Sequence, residues 1–199
     1  MKEFWNERYG QEEYAYGTSP NKFFKEQLDS YQPKGNILMP AEGEGRNAVY
    51  AAKTGLSVTA FDMSEEARNK AIKLAKANQV ELNYLTGTME QIDLAPDSFD
   101  AVGLVFAHFP AILRESYHTQ FCKLLRPGGL IILEGFSKNQ LKYPSGGPRN
   151  LDMLFSLEEI QNDFKELNLL VLEENEIELN EGRYHIGPAS VVRFIGQKR

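Results

Sequence analysis

The sequence predicts a doubly wound α/β fold with a seven-stranded, mostly parallel sheet and an antiparallel last strand. Three observations lead to this fold class. Short apolar runs alternate with amphipathic helical segments along residues 36–133. A glycine-rich turn stands between the first apolar run and the first helix of that region, as it does in many open α/β sheets. The last two apolar runs are joined by residues 180–188, a connection too short for a crossover helix, so neighbouring strands there must pair antiparallel.

Composition narrows the class of protein further. The chain has 199 residues, which suggests one domain, and 28 acidic against 22 basic residues give a net charge of −6. The basic residues are scattered, which argues against a nucleic-acid face. The longest apolar stretch, residues 101–109, is shorter than the roughly 20 residues of a membrane-spanning helix. A single cysteine, Cys122, and an N-terminus without an apolar core predict a cytoplasmic protein. The three histidines lack metal-ligand spacing, so no metal site is expected.

The elements of the first half follow from the apolar pattern and the turn residues. Residues 1–35 are rich in aromatic residues and are expected to form helices and a lid. Ser64 is a candidate N-cap, with Glu65 and Glu66 in the first turn, where the helix dipole favours acidic groups. The predicted strands are 36–40, 56–61 and 82–85, and the predicted helices are 46–54 and 65–78.

The second half continues the alternation and then changes character. Residues 101–106 form a continuous apolar run, as expected for a strand covered on both faces, and a helix begins after Pro110. Three residues, 127–129, are Pro-Gly-Gly and are expected to end that helix before a fifth strand at 130–133. After a loop-rich insert, Ser156 and Glu159 form a capping box for another helix. The final strands are predicted at 169–179 and 189–195. His118 lies mid-helix and is expected to face solvent.

The turn after the first strand carries the chemistry. Gly43 and Gly45 allow the backbone to approach a ligand closely, and the start of the following helix offers N–H groups to a carboxylate or a phosphate. With Ala48, the spacing also fits the G-x-G-x-x-[GA] fingerprint of dinucleotide sites. A tight turn with no ligand is the alternative interpretation, since a glycine pattern of this kind is weak evidence alone.

An acidic residue at the end of the second strand strengthens the ligand interpretation. Asp62 follows Gly45 by 17 residues, and a carboxylate there accepts hydrogen bonds from both ribose hydroxyls. Asp62 would otherwise serve only as a cap for the next helix, a role that Ser64 already fills. The glycine turn and the strand-end acid together indicate a cofactor that contains adenosine.

The order of five segments now resembles the class I S-adenosylmethionine-dependent methyltransferases over most of the chain. The segments are ILMPAEGEGRNA, VTAFDMS, GTMEQIDLAPDSFDAV, LLRPGGLIILEGF and the antiparallel last strand. Within that class, the opening FWNERYGQEEYAYGTSPNKFF and the late EGRYHIGPA are similar to the tellurite-resistance and thiopurine type of small-molecule methyltransferase. Two positions depart from the family pattern: Met39 and Thr88 stand where acidic residues are usual. Glu42, inside the loop, is expected to supply the charge that Met39 lacks.

The resemblance implies a Rossmann-like methyltransferase sheet and S-adenosyl-L-methionine as the cofactor. It divides the chain into an N-terminal lid (1–35), a cofactor-binding core (36–135), and a substrate insert with a C-terminal antiparallel hairpin (136–199). The residues that it implies for the cofactor are Tyr16, Ala41, Glu42, Gly43, Gly45, Arg46, Asn47, Asp62, Met63, Thr88, Met89, Glu90, Phe106 and Ala107.

The expected activity is methyl transfer to a small-molecule partner, including soft nucleophiles such as a thiol or a chalcogen oxyanion. Candidate catalytic residues are His108 after the fourth strand and, in the last hairpin loop, His185 and Arg183, which would hold an anionic substrate. Each has an ordinary alternative: a backbone hydrogen bond for His108, a satisfied loop position for His185 and a surface ion pair for Arg183. A cofactor-binding sensor without catalysis is the alternative function. A nicotinamide oxidoreductase is disfavoured because no Tyr-x-x-x-Lys pair occurs.

Overall fold

A computed structural model describes residues 1–199, and all its strands join one sheet. The helices are α1 (Lys2–Tyr9), α2 (Lys22–Tyr31), α3 (Arg46–Lys53), α4 (Glu65–Ala77), α5 (Ala111–Leu124) and α6 (Leu157–Asp163). The strands are β1 (Asn36–Pro40), β2 (Ser57–Asp62), β3 (Asn83–Thr86), β4 (Phe99–Val105), β5 (Leu125–Phe136), β6 (Asn168–Asn180) and β7 (Ile186–Gln197). Short 3₁₀ helices cover Met89–Gln91, Lys138–Lys142 and Leu151–Met153. None of the six α-helices has the combination of length and apolar character needed to cross a membrane.

The sheet has the predicted topology. Its strand order is β3-β2-β1-β4-β5-β7-β6, and β1 to β5 pair in parallel. The β7 strand lies between β5 and β6 and is antiparallel to both. The fold class is therefore confirmed. Because the parallel strands end at one edge, the segments that follow β1, β2 and β4 meet there, which is where open α/β sheets bind ligands.

Helices cover both faces of the sheet. Residues of α2, α3 and α4 pack on one face in a core that includes Phe24 and Ile132, and α5 and α6 pack on the other in a core that includes Phe121 and Leu133. Successive strand residues point to opposite faces, so Met39 is fully buried on the side of α2. A Cβ atom built at Gly103 would lie only 2.7 Å from its Sδ. The methionine therefore fills space that a side chain at residue 103 would occupy in most strands.

The last three strands extend beyond the ranges that the sequence predicts. The β5 strand begins at Leu125 rather than at residue 130, because the register with β4 shifts between Phe99 and Ala101 and an irregularity absorbs the Pro-Gly-Gly segment. The β6–β7 ladder runs on to the pair Asn180 and Ile186. Only residues 181–185 remain as the loop of this hairpin.

The prediction that His118 faces solvent is wrong. Its side chain is fully buried, because α6 covers that side of α5, and its ring stacks on Phe164 with 4.6 Å between centroids. The Nδ1 atom lies 2.8 Å from Oδ2 of Asp163, which also accepts a 2.9 Å hydrogen bond from Nε of Arg114. Burial lowers the pKa of His118, although Asp163 opposes the shift.

Candidate functional site

The glycine loop and the strand-end acid form one unit at the carboxyl edge of the sheet. The backbone N–H of Gly43 donates to Oδ2 of Asp62 at 3.1 Å, and the N–H of Ser64 donates to Oδ1 at 2.9 Å. Asp62 therefore fastens the loop and also helps to start α4, while Ser64 caps that helix through its own side chain. Burial raises the pKa of Asp62 to about 6, although the N–H groups of Ser64 and Gly43 oppose the shift. A carboxylate has about four acceptor positions, so Asp62 keeps capacity for a ligand.

The start of α3 is already occupied by the chain itself. Oε1 of Glu42 accepts hydrogen bonds from the N–H groups of Asn47 at 2.9 Å and Ala48 at 2.7 Å. The expectation that these N–H groups bind the carboxylate or phosphate of a ligand is therefore wrong, because an internal acid satisfies them. Oε2 of Glu42 makes no hydrogen bond. Burial raises the pKa of Glu42 to about 7, against the N–H donors and the nearby Arg46 guanidinium.

Packing explains why glycine stands at both loop positions. Gly45 has φ of 88°, and a Cβ atom there would lie 2.7 Å from Cβ of Ala71 in α4. A Cβ atom at Gly43 would lie 2.8 Å from the hydroxyl of Tyr9, which α1 brings to the loop. Ala41, at the first loop position, has φ of 50° without being glycine, a strained conformation of a kind that clusters at functional sites.

Two predicted cofactor residues hold other segments of the chain instead. The Nη2 atom of Arg46 donates to Oε2 of Glu181 at 2.8 Å, and both side chains are largely buried. Oδ1 of Asn47 accepts from the backbone N–H of Asn21 at 2.8 Å. Arg46 therefore joins α3 to the hairpin loop, and Asn47 joins it to the segment that precedes α2.

The remaining residues predicted for the cofactor line the end of β2 and the segments after β3 and β4. Met63 is half-buried, and Thr88 caps the 3₁₀ helix in a reciprocal arrangement with Gln91. Met89 is buried, whereas Glu90 is exposed and accepts a hydrogen bond from the hydroxyl of Tyr117. The other two residues lie at the end of β4: Phe106, with φ of 51°, and the buried Ala107.

His185 lies in an aromatic enclosure near the same edge. Its ring centroid is 4.4 Å from that of Tyr16 and 4.6 Å from that of Phe106, and only 5% of the residue is exposed. Nδ1 lies 3.4 Å from Oε2 of Glu181, and Nε2 makes no hydrogen bond. Burial lowers the pKa of His185 even though Glu181 opposes the shift, so the ring is neutral at neutral pH. A neutral imidazole with one nitrogen held by a carboxylate is suited to accept a proton on the other.

The other two candidate catalytic residues lie in different surroundings. Nδ1 of His108 is 2.7 Å from the carbonyl oxygen of Met153, and Nε2 accepts from the N–H of Phe136 at 3.0 Å. Burial lowers the pKa of His108 to about 4, and neither ring nitrogen is free to take a proton. The catalytic role expected of His108 is thus contradicted, and its backbone-bonding alternative is observed. Arg183 is exposed, forms no ion pair and lies with its guanidinium carbon 5.8 Å from the Tyr184 ring centroid.

A buried polar network beside His185 was not predicted. The side chain of Asn21 donates to Glu134 and to Glu181, and Glu134 also accepts a 2.7 Å hydrogen bond from Arg193. Burial would raise the pKa of Glu181, but His185 and Arg46 outweigh it and lower the pKa to about 2. The network borders a cleft of about 600 Å³ between residues 16–22 and residues 177–182. Pro20-Asn21 before an apolar helix is a capping signal that could have identified Asn21; nothing in the sequence singles out Glu181.

Sequence comparison with known proteins finds matches to part of this chain. Residues 37–129 match a family described as a methyltransferase domain. A ubiquinone/menaquinone biosynthesis C-methyltransferase from Geotalea daltonii is 31% identical over 114 residues, which cover 54% of this chain and 48% of that protein. The chain thus spans about half the length of the curated relatives it matches.

Comparison of structures covers the whole chain. A structure solved in a study of the conversion of a disulfide bond into a thioacetal group during echinomycin biosynthesis has a TM-score of 0.76 and 17% identity. The match covers 100% of this chain and 92% of that one. TehB from Haemophilus influenzae has a TM-score of 0.71 and 14% identity, over 100% of this chain and 67% of that chain. At these identities both structures show similarity of fold alone. The match to TehB therefore does not test the predicted resemblance to the tellurite-resistance type of methyltransferase.

Proposed function

We propose that this chain is a class I S-adenosylmethionine-dependent methyltransferase and that it transfers the methyl group of S-adenosylmethionine to a small-molecule acceptor; the domain matched over residues 37–129 and the fold support this proposal. The matched domain and the fold agree with the family that the sequence resembles, and that family implies S-adenosylmethionine as the cofactor. The observation that carries the proposed function is the meeting of the Asp62-bound glycine loop and the enclosed His185 at one edge of the sheet.

The residues at that edge fit the cofactor chemically. Asp62 keeps acceptor capacity for ribose hydroxyls, and the unpaired Oε2 of Glu42 suits the ammonium group of the methionine part. The loop residues Ala41, Gly43 and Gly45 would lie along that methionine part. On the adenine side, the proposed contacts are Met63, Thr88, Met89, Glu90, Phe106 and Ala107. Arg46 and Asn47 would contribute by holding the N-terminal segment and the hairpin, and Tyr16 by covering the site.

The chain's own contribution to the reaction is alignment and proton handling. The bound cofactor supplies an activated methyl group on a sulfonium centre, so the protein aligns the acceptor behind that methyl group and keeps water out. An acceptor that carries a proton must lose it as its new bond to carbon forms. Nε2 of His185 would take this proton, and Glu181 would stabilise the resulting imidazolium through Nδ1.

The proposed acceptor is a soft nucleophile, with a thiol as the leading candidate. A thiol would give its proton to His185, whereas a chalcogen oxyanion arrives without one and would be drawn by the exposed, unpaired Arg183. The study of disulfide-to-thioacetal conversion shows that sulfur chemistry is associated with a protein of this fold. One curated relative is named as a C-methyltransferase, which makes a carbon acceptor the contrasting outcome of the test.

Two measurements test the proposal. Calorimetry with S-adenosylhomocysteine should show binding, and no binding at millimolar ligand would contradict the cofactor assignment. Transfer of labelled methyl should then be measured against thiols, tellurite, amines and carbon acids. His185→Gln should remove transfer to a thiol, whereas Ile186→Ala, at an exposed neighbouring position, should not. Arg183→Ala should slow transfer to tellurite more than to a neutral thiol. Binding without transfer to any acceptor would identify a non-catalytic cofactor-binding protein.

A further inference from the structure

Asn21 connects four parts of the molecule through one buried side chain. Only 2% of the residue is exposed. Its Oδ1 accepts from the N–H of Phe24 at 2.9 Å and so caps α2. Its Nδ2 donates to Oε1 of Glu134 at 2.7 Å and to Oε1 of Glu181 at 3.0 Å. The segment before α2 is thereby joined to β5 and to the loop of the hairpin.

The carboxylate of Glu181 is fixed from three directions. Oε1 accepts from Asn21, and Oε2 accepts from Arg46 at 2.8 Å and faces Nδ1 of His185 at 3.4 Å. Of these three contacts, the one to His185 is the longest. The position of Oε2 relative to Nδ1 of His185 therefore depends on the two shorter hydrogen bonds, which hold the Glu181 carboxylate in place.

We infer that Asn21 is a positioning residue for the base, acting through Glu181 to hold His185 with Nδ1 protonated and Nε2 free. The inference rests on the proposed role of His185. The inference also gives the N-terminal segment a role in the reaction. When this segment packs against the hairpin loop, it orients His185 for proton transfer.

The need for an amide at this position goes beyond capping. Serine and aspartate cap helices about as well as asparagine, and threonine does so somewhat less well, but none of the three has a side-chain N–H₂ group that can bridge two carboxylates. Aspartate would also place a third carboxylate against Glu134 and Glu181. Asparagine is the residue that satisfies the cap with its oxygen and both acids with its nitrogen.

The packing of the segment supports this coupling. A Cβ atom at Gly182 would lie 2.4 Å from the backbone nitrogen of Gly17, so the N-terminal segment and the hairpin loop are in close backbone contact. The ring of Tyr16, from the same segment, lies against His185. Movement of this segment away from the hairpin would break the Asn21 bridge and expose His185 at the same time.

The test uses Asn21→Ser, which retains a capping oxygen and removes the bridging nitrogen. Asn139→Ser is the matched control, because it removes a 2.8 Å amide bond to Glu174 on the exposed side of β6. Imidazole nitrogen resonances report the tautomer of each histidine, and His185→Gln assigns the signal of His185. We expect one Nδ1-protonated tautomer for His185 in the native chain and in Asn139→Ser, and a tautomer mixture in Asn21→Ser.

Turnover provides the second readout. Once an acceptor is found, Asn21→Ser should lower kcat about tenfold with KM for the acceptor and S-adenosylhomocysteine affinity within twofold. Threonine is another capping residue without an amide, so Asn21→Thr should have the same effect and replaces Asn21→Ser in the test if the serine variant does not fold. An unchanged His185 tautomer in a folded variant would overturn the inference. A changed tautomer together with full transfer by His185→Gln would instead overturn the proposed base, leaving the bridge intact.

Discussion

The backbone nitrogen of Gly43 lies 3.1 Å from Oδ2 of Asp62, which makes the glycine loop and the end of β2 a single structural unit. The sequence separates the two residues by a helix and a strand, and the parallel pairing of β1 with β2 brings them together. The affinity of a ligand that binds Asp62 would therefore also depend on the conformation of the loop. Loss of this carboxylate should affect binding and loop order at the same time.

Asp62→Ala should weaken S-adenosylhomocysteine binding by about 1.5–3 kcal/mol, the range for hydrogen bonds to a charged group. The physical cause is the loss of the ribose acceptor together with release of the Gly43 and Ser64 N–H groups. Calorimetry measures the affinity, and Asp97→Ala, at an exposed acid paired with Lys198, is the control. Equal affinity in the Asp62 variant and the native chain would remove Asp62 from the ribose role.

Glu42→Gln should stabilise the protein at alkaline pH. Burial raises the pKa of Glu42 from 4.5 to about 7 in the folded chain, so its favourable contribution is complete below pH 4.5 and is lost as pH rises through 7. At 1.36 kcal/mol per pKa unit, this rise corresponds to at most about 3.4 kcal/mol. The glutamine keeps an oxygen for the N–H groups of Asn47 and Ala48 and never becomes charged.

Urea denaturation of both proteins at pH 4.5 and pH 8.5 measures this effect. The free energy of unfolding should favour Glu42→Gln at pH 8.5 and be closely matched at pH 4.5. Glu173→Gln, at an exposed position on β6, should show no such pH-dependent gain. A gain of the same size at both pH values would mean that the charge of Glu42 is not its cause.

Local patterns were sufficient to predict the strands, the glycine turn and the cap at Ser64, because each depends on residues close together in sequence. The environments of His118 and Glu42 were not predictable in this way. His118 is buried because α6, some 40 residues later, packs over α5. Glu42 reaches the start of α3 because the loop turns its side chain back toward it. The network around Glu181 likewise exists only once the N-terminal segment and the hairpin meet.

His118→Phe should flatten the loss of stability in acid. The pKa of buried His118 is lowered, so the unfolded chain binds a proton that the folded chain does not, and stability falls as pH drops below about 6.5. Phenylalanine retains the stacking on Phe164 and leaves Asp163 bonded to Arg114. Below about pH 6.5, the slope of unfolding free energy against pH should decrease, by at most the effect of one proton, about 1.4 kcal/mol per pH unit.

The comparison for that prediction is Ser116→Ala, an exposed change on the same helix, which should keep the native slope. His108 and His185 also have lowered pKa values and remain in the His118 variant, so part of the acid sensitivity should persist. An unaltered slope in His118→Phe would show that His118 gains its proton equally in both states.

Gly45→Ala and Gly55→Ala separate steric crowding from backbone strain at the two ends of α3. Both glycines have positive φ, 88° and 92°, so alanine at either carries a left-handed penalty of about 1–2 kcal/mol. A Cβ atom at Gly55 meets nothing within 4 Å, whereas one at Gly45 would lie 2.7 Å from Cβ and 2.9 Å from the backbone α-carbon of Ala71. Gly45→Ala should therefore lower the free energy of unfolding by about 1–3 kcal/mol more than Gly55→Ala, measured by urea denaturation.

Adding Ala71→Gly to Gly45→Ala should restore only part of this loss, because glycine removes the methyl group at residue 71 but leaves its backbone equally close. Equal losses for the two glycine variants would mean that α3 and α4 separate easily and that crowding does not fix the loop.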